Sequence, residues 1–264
     1  RDRYIPLILE NRQIYKYTLP RSFAHHMHGA MPTIAAIGVF LSCFHQGSLG
    51  GVPGVLFARP FAYREGFFVW PWSFFLFILS AMACGPCFTI LITKITEFFG
   101  RKKLVKDNVI DILAKISGGM TSLYIVLKIL DTLGWINWAK EVAAAPVSSF
   151  YANQPYGWWV LITEVGILGV IPAIILIIRP LRQNKPMLLL ACVMNCTGIF
   201  MNRWIMTCQA LAVPVMPFDR FYSYHPNWVE WSTTLLPVWA GAMVIMLSYR
   251  YLPVFTQEKE LNPY

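Results

Sequence analysis

The amino-acid sequence predicts an all-α integral membrane protein, a single bundle of about six transmembrane helices. Charged residues make up 13% of its 264 residues and hydrophobic ones 56%, whereas a soluble domain carries about twice that charge. Six stretches are long and apolar enough to cross a bilayer, which takes about 20 residues of helix. The 10 Trp, 12 Tyr and 18 Phe suit the aromatic belts that form at the two membrane–water interfaces.

The first span is expected over 24–45, closed by the run Gly50-Gly51-Val52-Pro53-Gly54. The second occupies 68–93 and stops ahead of Gly100. The third, 109–133, is followed by Pro146 and Pro155. The fourth, 157–178, and the fifth, 187–211, are parted by Pro180 and Pro186. The sixth, 231–252, comes after Pro214, Pro217 and Pro226. Each gap carries Gly, which frees the backbone, or Pro, which removes a helix donor. Residues 1–23 read as an amphipathic cytoplasmic segment and 253–264 as a cytoplasmic tail. Arg1 is not a start methionine and the segment before the first span is already crowded, so further helices are expected ahead of this sequence.

Lys and Arg divide unevenly between the two sides. Of the 22, most lie before the first span, between the second and third, between the fourth and fifth, and after the sixth. Arg59, Arg64, Lys140 and Arg220 lie on the other side, and Lys115, Lys128 and Arg203 lie within helices. Basic loops stay in the cytoplasm, which places both ends there. The same loops account for the net charge of +9 without a nucleic-acid partner. The outward loops, roughly 22, 23 and 19 residues long and rich in Pro, Gly, Trp and Tyr, offer partner subunits a docking surface; the plainer alternative is that they cover the bundle.

Ionisable groups at membrane depth cost about 2.5–3.5 kcal/mol to insert and so mark candidate functional sites. Several fall at one level, toward the outward face. His45 ends the first span. Lys128 and Asp131 stand three residues apart near the end of the third. Glu164 lies roughly ten ångströms into the fourth, and Arg203 lies in the outward half of the fifth. His225 and Glu230 precede the sixth. A second set lies inward: His25, His26 and His28 open the first span, Asp111 and Lys115 open the third, and Lys94 and Glu97 end the second. The inner set reads either as a proton entry or as side chains snorkelling to water.

The six cysteines all sit in apolar stretches and form no disulfide framework. Cys84-Gly85-Pro86-Cys87 matches the redox string of soluble thiol oxidoreductases, but that chemistry needs a strand leading into a helix start. Within a spanning helix it reads as a proline kink with small residues at a packing face. A haem held by two histidines would have to use His45 and His225, the one conceivable pair, and no haem is expected. No Cys or His spacing suits zinc or an iron–sulfur cluster, so no metal site is expected.

The run Leu41-Ser42-Cys43-Phe44-His45-Gln46-Gly47-Ser48-Leu49-Gly50 resembles the His-Gln-x-Ser-Leu-Gly signature of the NrfD/polysulfide-reductase family of membrane subunits. Arg59-Pro60, Trp70-Pro71, Ser80-Ala81, Gly85-Pro86, Glu164 with Gly166, Gly169 and Pro172, and Asn202-Arg203 follow in order. Tyr224-His225-Pro226-Asn227-Trp228-Val229-Glu230 resembles the family's Tyr-x-Pro-x-Trp-x-Glu element. The nearest branch is that of the quinone-reductase and high-molecular-weight cytochrome complexes of sulfate reducers. The resemblance implies a haem-free subunit of about ten helices, of which this chain is the C-terminal part, in a bacterial inner membrane. It also implies a bound menaquinone or ubiquinone. The implied partners are a periplasmic, ferredoxin-like iron–sulfur subunit, further subunits of the complex and, as one option, a multihaem cytochrome c. Such a chain is one electron-transfer subunit of a quinone oxidoreductase, not catalytic alone.

Reducing a quinone takes two electrons and two protons, so its carbonyls need donors that can also move protons. His45, Glu164 and Arg203 are the expected reaction residues, with His45 donating to one carbonyl and Glu164 relaying protons beside Arg203. Gln46, Ser48, His225, Trp228 and Glu230 join His45 as expected quinone contacts. Asp131, Lys128, Asp111, Lys115 and His28 join Glu164 on the expected proton path. The rival readings are an ion-translocating subunit and a bare anchor.

Overall fold

The computed structural model describes residues 21–51, 70–101, 103–138, 158–205 and 225–251. The expected segments 1–23 and 253–264 therefore lie almost wholly outside the described residues, as do the outward loops. The described chain is helical: α1 (Arg21–Gly51), α2 (Trp70–Gly100), α3 (Asp107–Trp138), α4 (Trp158–Leu161), a π-helical segment (Ile162–Val170), α5 (Ile171–Ile177), α6 (Arg179–Gln183), α7 (Lys185–Trp204) and α8 (Trp228–Tyr251). Among the described residues, five stretches are long and apolar enough to cross a membrane: Phe74–Gly100, Asp107–Leu133, Trp158–Ile177, Lys185–Trp204 and Trp228–Leu247. Helix α1 is 31 residues long and carries Pro32 within it.

The chain divides into two compact units: 43–101 with 106–224, and 1–42 with 102–105 and 225–264. The first holds α2, α3, α7 and the broken helix from α4 to α5. In it α2 packs on α3 and α7, and α5 packs on α3 and α7. Helix α2 ends at Gly100, where Arg101 turns left-handed with φ 50°, the backbone state that commonly closes a helix. Asp107 in the first turn of α3 suits the positive end of the helix dipole. Pro180 and Pro186 each sit in the first turn of the helix they open, where a missing N–H costs nothing. The expected break between the fourth and fifth spans thus becomes two sharp corners around α6.

Helix α3 buries one stripe: Ala114, Ser117, Thr121, Tyr124, Lys128 and Asp131, spaced alternately by three and four residues as one helix face requires. Helix α7 buries Leu188, Ala191, Cys192, Asn195, Gly198 and Asn202. Leu76, Tyr124, Ile125 and Ala173 form an apolar core cluster. The opposite faces carry Phe75, Met82, Phe88, Ile95, Phe98 and Phe99 on α2 and Ile112, Ile116, Leu123, Val126 and Leu130 on α3, all exposed. Polar inside and apolar outside is the pattern of a bundle solvated by lipid.

Glycines set the helix spacing. A Cβ at Gly198 would fall 2.8 Å from the Leu168 carbonyl oxygen, and one at Gly118 would fall 2.9 Å from the Leu176 Cβ. Small residues let helices touch backbone to backbone where no hydrophobic force gathers them. The π-helical segment has a local cause. Pro172 has no N–H to give Leu168, so the α-helical ladder cannot run through it. The Ile171 N–H bonds the Gly166 carbonyl instead, five residues back. Such wide turns are rare and recur at functional sites.

In the second unit α8 starts with a reciprocal cap. The Glu230 N–H donates to Asn227 Oδ1 at 2.9 Å, and the Asn227 N–H donates to Glu230 Oε2 at 2.7 Å, the pairing that satisfies two free donors at a helix start. Leu235, Leu236, Val238, Trp239, Met243 and Val244 of α8 are exposed.

Candidate functional site

Within the first unit, the C-terminal ends of α1, α3 and α7 and the starts of α2 and the π-helical segment bring charge together. Glu164 enters in the first turn of that segment and is buried. Its Oε1 accepts from Asn202 Nδ2 at 2.6 Å and faces Lys128 Nζ at 3.6 Å, both side chains being buried. A buried carboxylate needs such partners, because an unpaired charge in low dielectric is expensive. Asp131, also buried, stands three residues beyond Lys128 on the same stripe.

Arg203 follows Asn202 directly, and one residue of helix turns its side chain by about 100°. Its guanidinium therefore reaches a different neighbour. Nη2 donates to the Phe77 carbonyl at 2.7 Å, to Ser80 Oγ at 2.8 Å and to Gln46 Oε1 at 3.4 Å. The guanidinium carbon stands 3.5 Å over the Phe77 ring, where the ring's negative face attracts a cation. Gly47 makes the Gln46 contact possible, since any Cβ there would collide with the Phe74 ring. The basic partner of Glu164 is thus Lys128. The expected Glu164–Arg203 pairing is not formed, because α7 points Asn202 at the π-helical segment and Arg203 at α2.

A cleft lined by Thr121, Tyr124, Lys128, Glu164, Asn195 and Gly198 has an internal volume of about 10 Å³, room for roughly one water molecule. No quinone ring fits between Glu164 and Lys128 there. Below it, Asn195 Nδ2 donates to Thr121 Oγ1 at 2.8 Å and to Ser117 Oγ at 3.3 Å, and Ser117 donates to the Ala83 carbonyl.

The expected residues are distributed as follows. Gln46 joins Arg203, while His45 and Ser48 are exposed on α1, with Ser48 Oγ donating to the His45 carbonyl at 2.8 Å. Lys128, Asp131 and Glu164 are gathered on facing elements. At the opposite end of α3, Asp111 is held by Arg182, with Nε at 2.7 Å and Nη2 at 3.2 Å from its two carboxylate oxygens. Arg182 Nη1 also donates to the Leu176 and Ile177 carbonyls, closing the end of α5. Lys115 is exposed. The side chain of His28 lies outside the described residues. His225, Trp228 and Glu230 belong to the second unit, where Glu230 caps α8. Among the described residues no cluster of His, Cys, Asp or Glu is placed to hold a metal ion.

Sequence reasoning missed Asn202, Asn195, Thr121, Ser117, Ser80 and Arg182 as site or support residues. Two signals were available. Asn195 and Asn202 are seven apart on one helix, and Ser117, Thr121, Tyr124, Lys128 and Asp131 form a polar heptad stripe inside an otherwise apolar span.

A lipid-solvated helical bundle with a buried acid, lysine and asparagine at one end defines a multi-pass membrane protein with an intramembrane polar site. The chain belongs to the NrfD family, described as polysulphide reductase, NrfD, whose profile matches residues 7–215. It is 49% identical over 260 residues to the menaquinone reductase integral membrane subunit of Nitratidesulfovibrio vulgaris, a match covering 98% of this chain and 62% of that protein. It is 22% identical over 246 residues to a selenate reductase subunit of Mesobacillus selenatarsenatis, covering 89% of this chain and 54% of that one. The chain therefore spans between half and two thirds of the length of these relatives. No solved structure matches it significantly.

Proposed function

We propose that this chain is the quinone-handling membrane subunit of a respiratory oxidoreductase complex, exchanging electrons between a periplasmic iron–sulfur subunit and menaquinone. The observation that carries the reading is the pairing of neighbours on α7. Asn202 holds the buried acid Glu164 at 2.6 Å, while Arg203 holds the α2 start and Gln46. The name of the 49% identical relative supports menaquinone as the quinone, with ubiquinone the alternative.

The quinone head sits on the Arg203 side, against Gln46 and His45 at the end of α1. The water-sized cleft keeps the ring off Glu164, which serves as the proton relay behind it. His45, exposed, donates to a quinone carbonyl, and Ser48 lines the approach. The bound quinone would supply the two-electron chemistry, and the chain's own groups position the ring and deliver protons. Protons reach Glu164 through Lys128, Asp131 and the mid-helix polar line of Thr121, Asn195 and Ser117. Asp111 and Lys115 stand toward the far end of α3, and His28 is the proposed further proton carrier, in a bacterial inner membrane whose cytoplasmic side takes both chain ends.

The test is turnover in the assembled complex. Glu164→Gln and His45→Ala are each expected to lower quinone-linked electron transfer on the order of 10²-fold, with subunit assembly unchanged. Full activity in both variants contradicts the reading.

A further inference from the structure

Four of the six cysteines meet between α2 and α7, near the middle of both spans. Cys84 and Cys87 stand three residues apart on α2, and Cys192 and Cys196 four apart on α7, so each pair shares a helix face. The helices run antiparallel and the faces oppose. Cys84 Sγ lies 3.6 Å from Cys196 Sγ, and Cys87 and Cys192 follow one turn further along the same two faces. All four are free thiols. Buried cysteines commonly act as small apolar groups, but packing alone does not require two sulfurs to meet across the helices.

The two pairs differ. Cys87 and Cys192 are fully buried, and Cys87 is also held by Ser117 Oγ at 3.0 Å and Asn195 Nδ2 at 3.6 Å. Cys84 and Cys196 are only part-buried, open to a lipid-soluble reagent. Cys84 is four residues from Ser80, about 6 Å along the helix, and Ser80 receives the Arg203 guanidinium. The open pair thus lies one turn from the polar end of the bundle.

We propose that Cys84 and Cys196 form a dithiol–disulfide couple across the two helices, oxidised by a membrane quinone. The sulfurs must close from 3.6 Å to about 2.05 Å, a movement within reach of side-chain rotation. Two S–H bonds break and one S–S bond forms. The two electrons and two protons pass to the quinone, whose carbonyl oxygens become the hydroxyls of the hydroquinone. The Cys84-Gly85-Pro86-Cys87 string then contributes one thiol to a bond between helices, not a bridge within the string. The choice of oxidant rests on the proposed quinone function; the thiol pair does not.

Membranes holding the whole complex are incubated with a fully ring-substituted quinone, which accepts electrons without adding to thiols. Free thiols are blocked in denaturant and the protein is digested without reductant. The expected product is a peptide pair joining Cys84 to Cys196, absent after dithiothreitol, with two fewer blockable thiols per chain. Cys84→Ser and Cys196→Ser each remove the link and Cys87→Ser retains it. Thiols left unlinked in the unaltered protein overturn the proposal, as does a link confined to Cys87 and Cys192. Electron transfer measured in the same membranes separates the two failures: unlinked thiols beside full quinone turnover remove the couple and leave the quinone function standing.

Discussion

Asn202 and Arg203 are consecutive, yet they serve opposite neighbours, and the chemistry of this end of the bundle follows from that divergence. Asn202→Ala removes the 2.6 Å bond to a buried carboxylate. It is expected to cost about 1–3 kcal/mol, read as a lower unfolding midpoint of the detergent-solubilised protein. Lys128→Met leaves Glu164 without its cation, and losing one member of a buried pair costs about 3–5 kcal/mol. Adding Glu164→Gln to Lys128→Met is expected to recover most of that loss, since both charges are then gone. If the double variant is no more stable than the single one, Lys128 does not balance Glu164. At the other end, Arg182 makes four hydrogen bonds to Asp111 and to the last carbonyls of α5. Arg182→Lys is expected to destabilise nearly as much as Arg182→Ala, because a single ammonium cannot reproduce a planar fork; rescue by lysine in the same midpoint measurement would contradict this.

The π-helical segment is the element that aims Glu164. Pro172→Ala restores an N–H opposite the Leu168 carbonyl and allows an ordinary α-helix, which rotates the preceding residues and takes Glu164 from Asn202. Loss of quinone-linked turnover with assembly intact is the expected outcome, and unchanged turnover would show that the wide turn has no part in placing the acid. Gly198→Ala drives a methyl against the Leu168 backbone and is expected to cost about 1–3 kcal/mol. Gly119→Ala, whose Cβ meets nothing within 4 Å, is expected to be neutral in the same stability assay. The apolar runs made the helices legible in the sequence. The expected 109–133 lies within Asp107–Trp138, and the expected 157–178 covers the stretch from Trp158 to Ile177. Hydropathy places a residue along a helix axis, so it found Glu164, Lys128 and Arg203 at one depth. It does not fix rotation about the axis. The choice of Lys128 over Arg203 as the partner of Glu164 depends on that rotation, and so does the meeting of Cys84 with Cys196. The capping role of Glu230 was hidden by its place in a family motif, although Asn227 three residues earlier is the local signal for it.

At the scale of the whole molecule, the chain is a multi-pass membrane protein of the NrfD family whose sequence concentrates Lys and Arg in alternate loops. That distribution predicts cytoplasmic ends, and a reporter fused after Tyr264 is expected to fold and signal only in the cytoplasm; a periplasmic signal would reverse the proposed orientation of the site. The charge count comes from the sequence alone, because the positive-inside rule acts on loops, whatever their fold. The contact of Arg203 with Gln46, Phe77 and Ser80 was not legible, because it depends on which faces of α1, α2 and α7 converge. The central claim is that a quinone ring lies against the Arg203 side of this end and not in the Glu164 cleft. The most direct measurement is photolabelling of the intact complex with an azidoquinone, followed by mapping of the modified peptides. The account predicts labels within 43–49, 74–80 and 199–204 of this chain, competed away by unlabelled menaquinone. Labels confined to other subunits, or to the α3 stripe around Thr121 and Lys128, would contradict it.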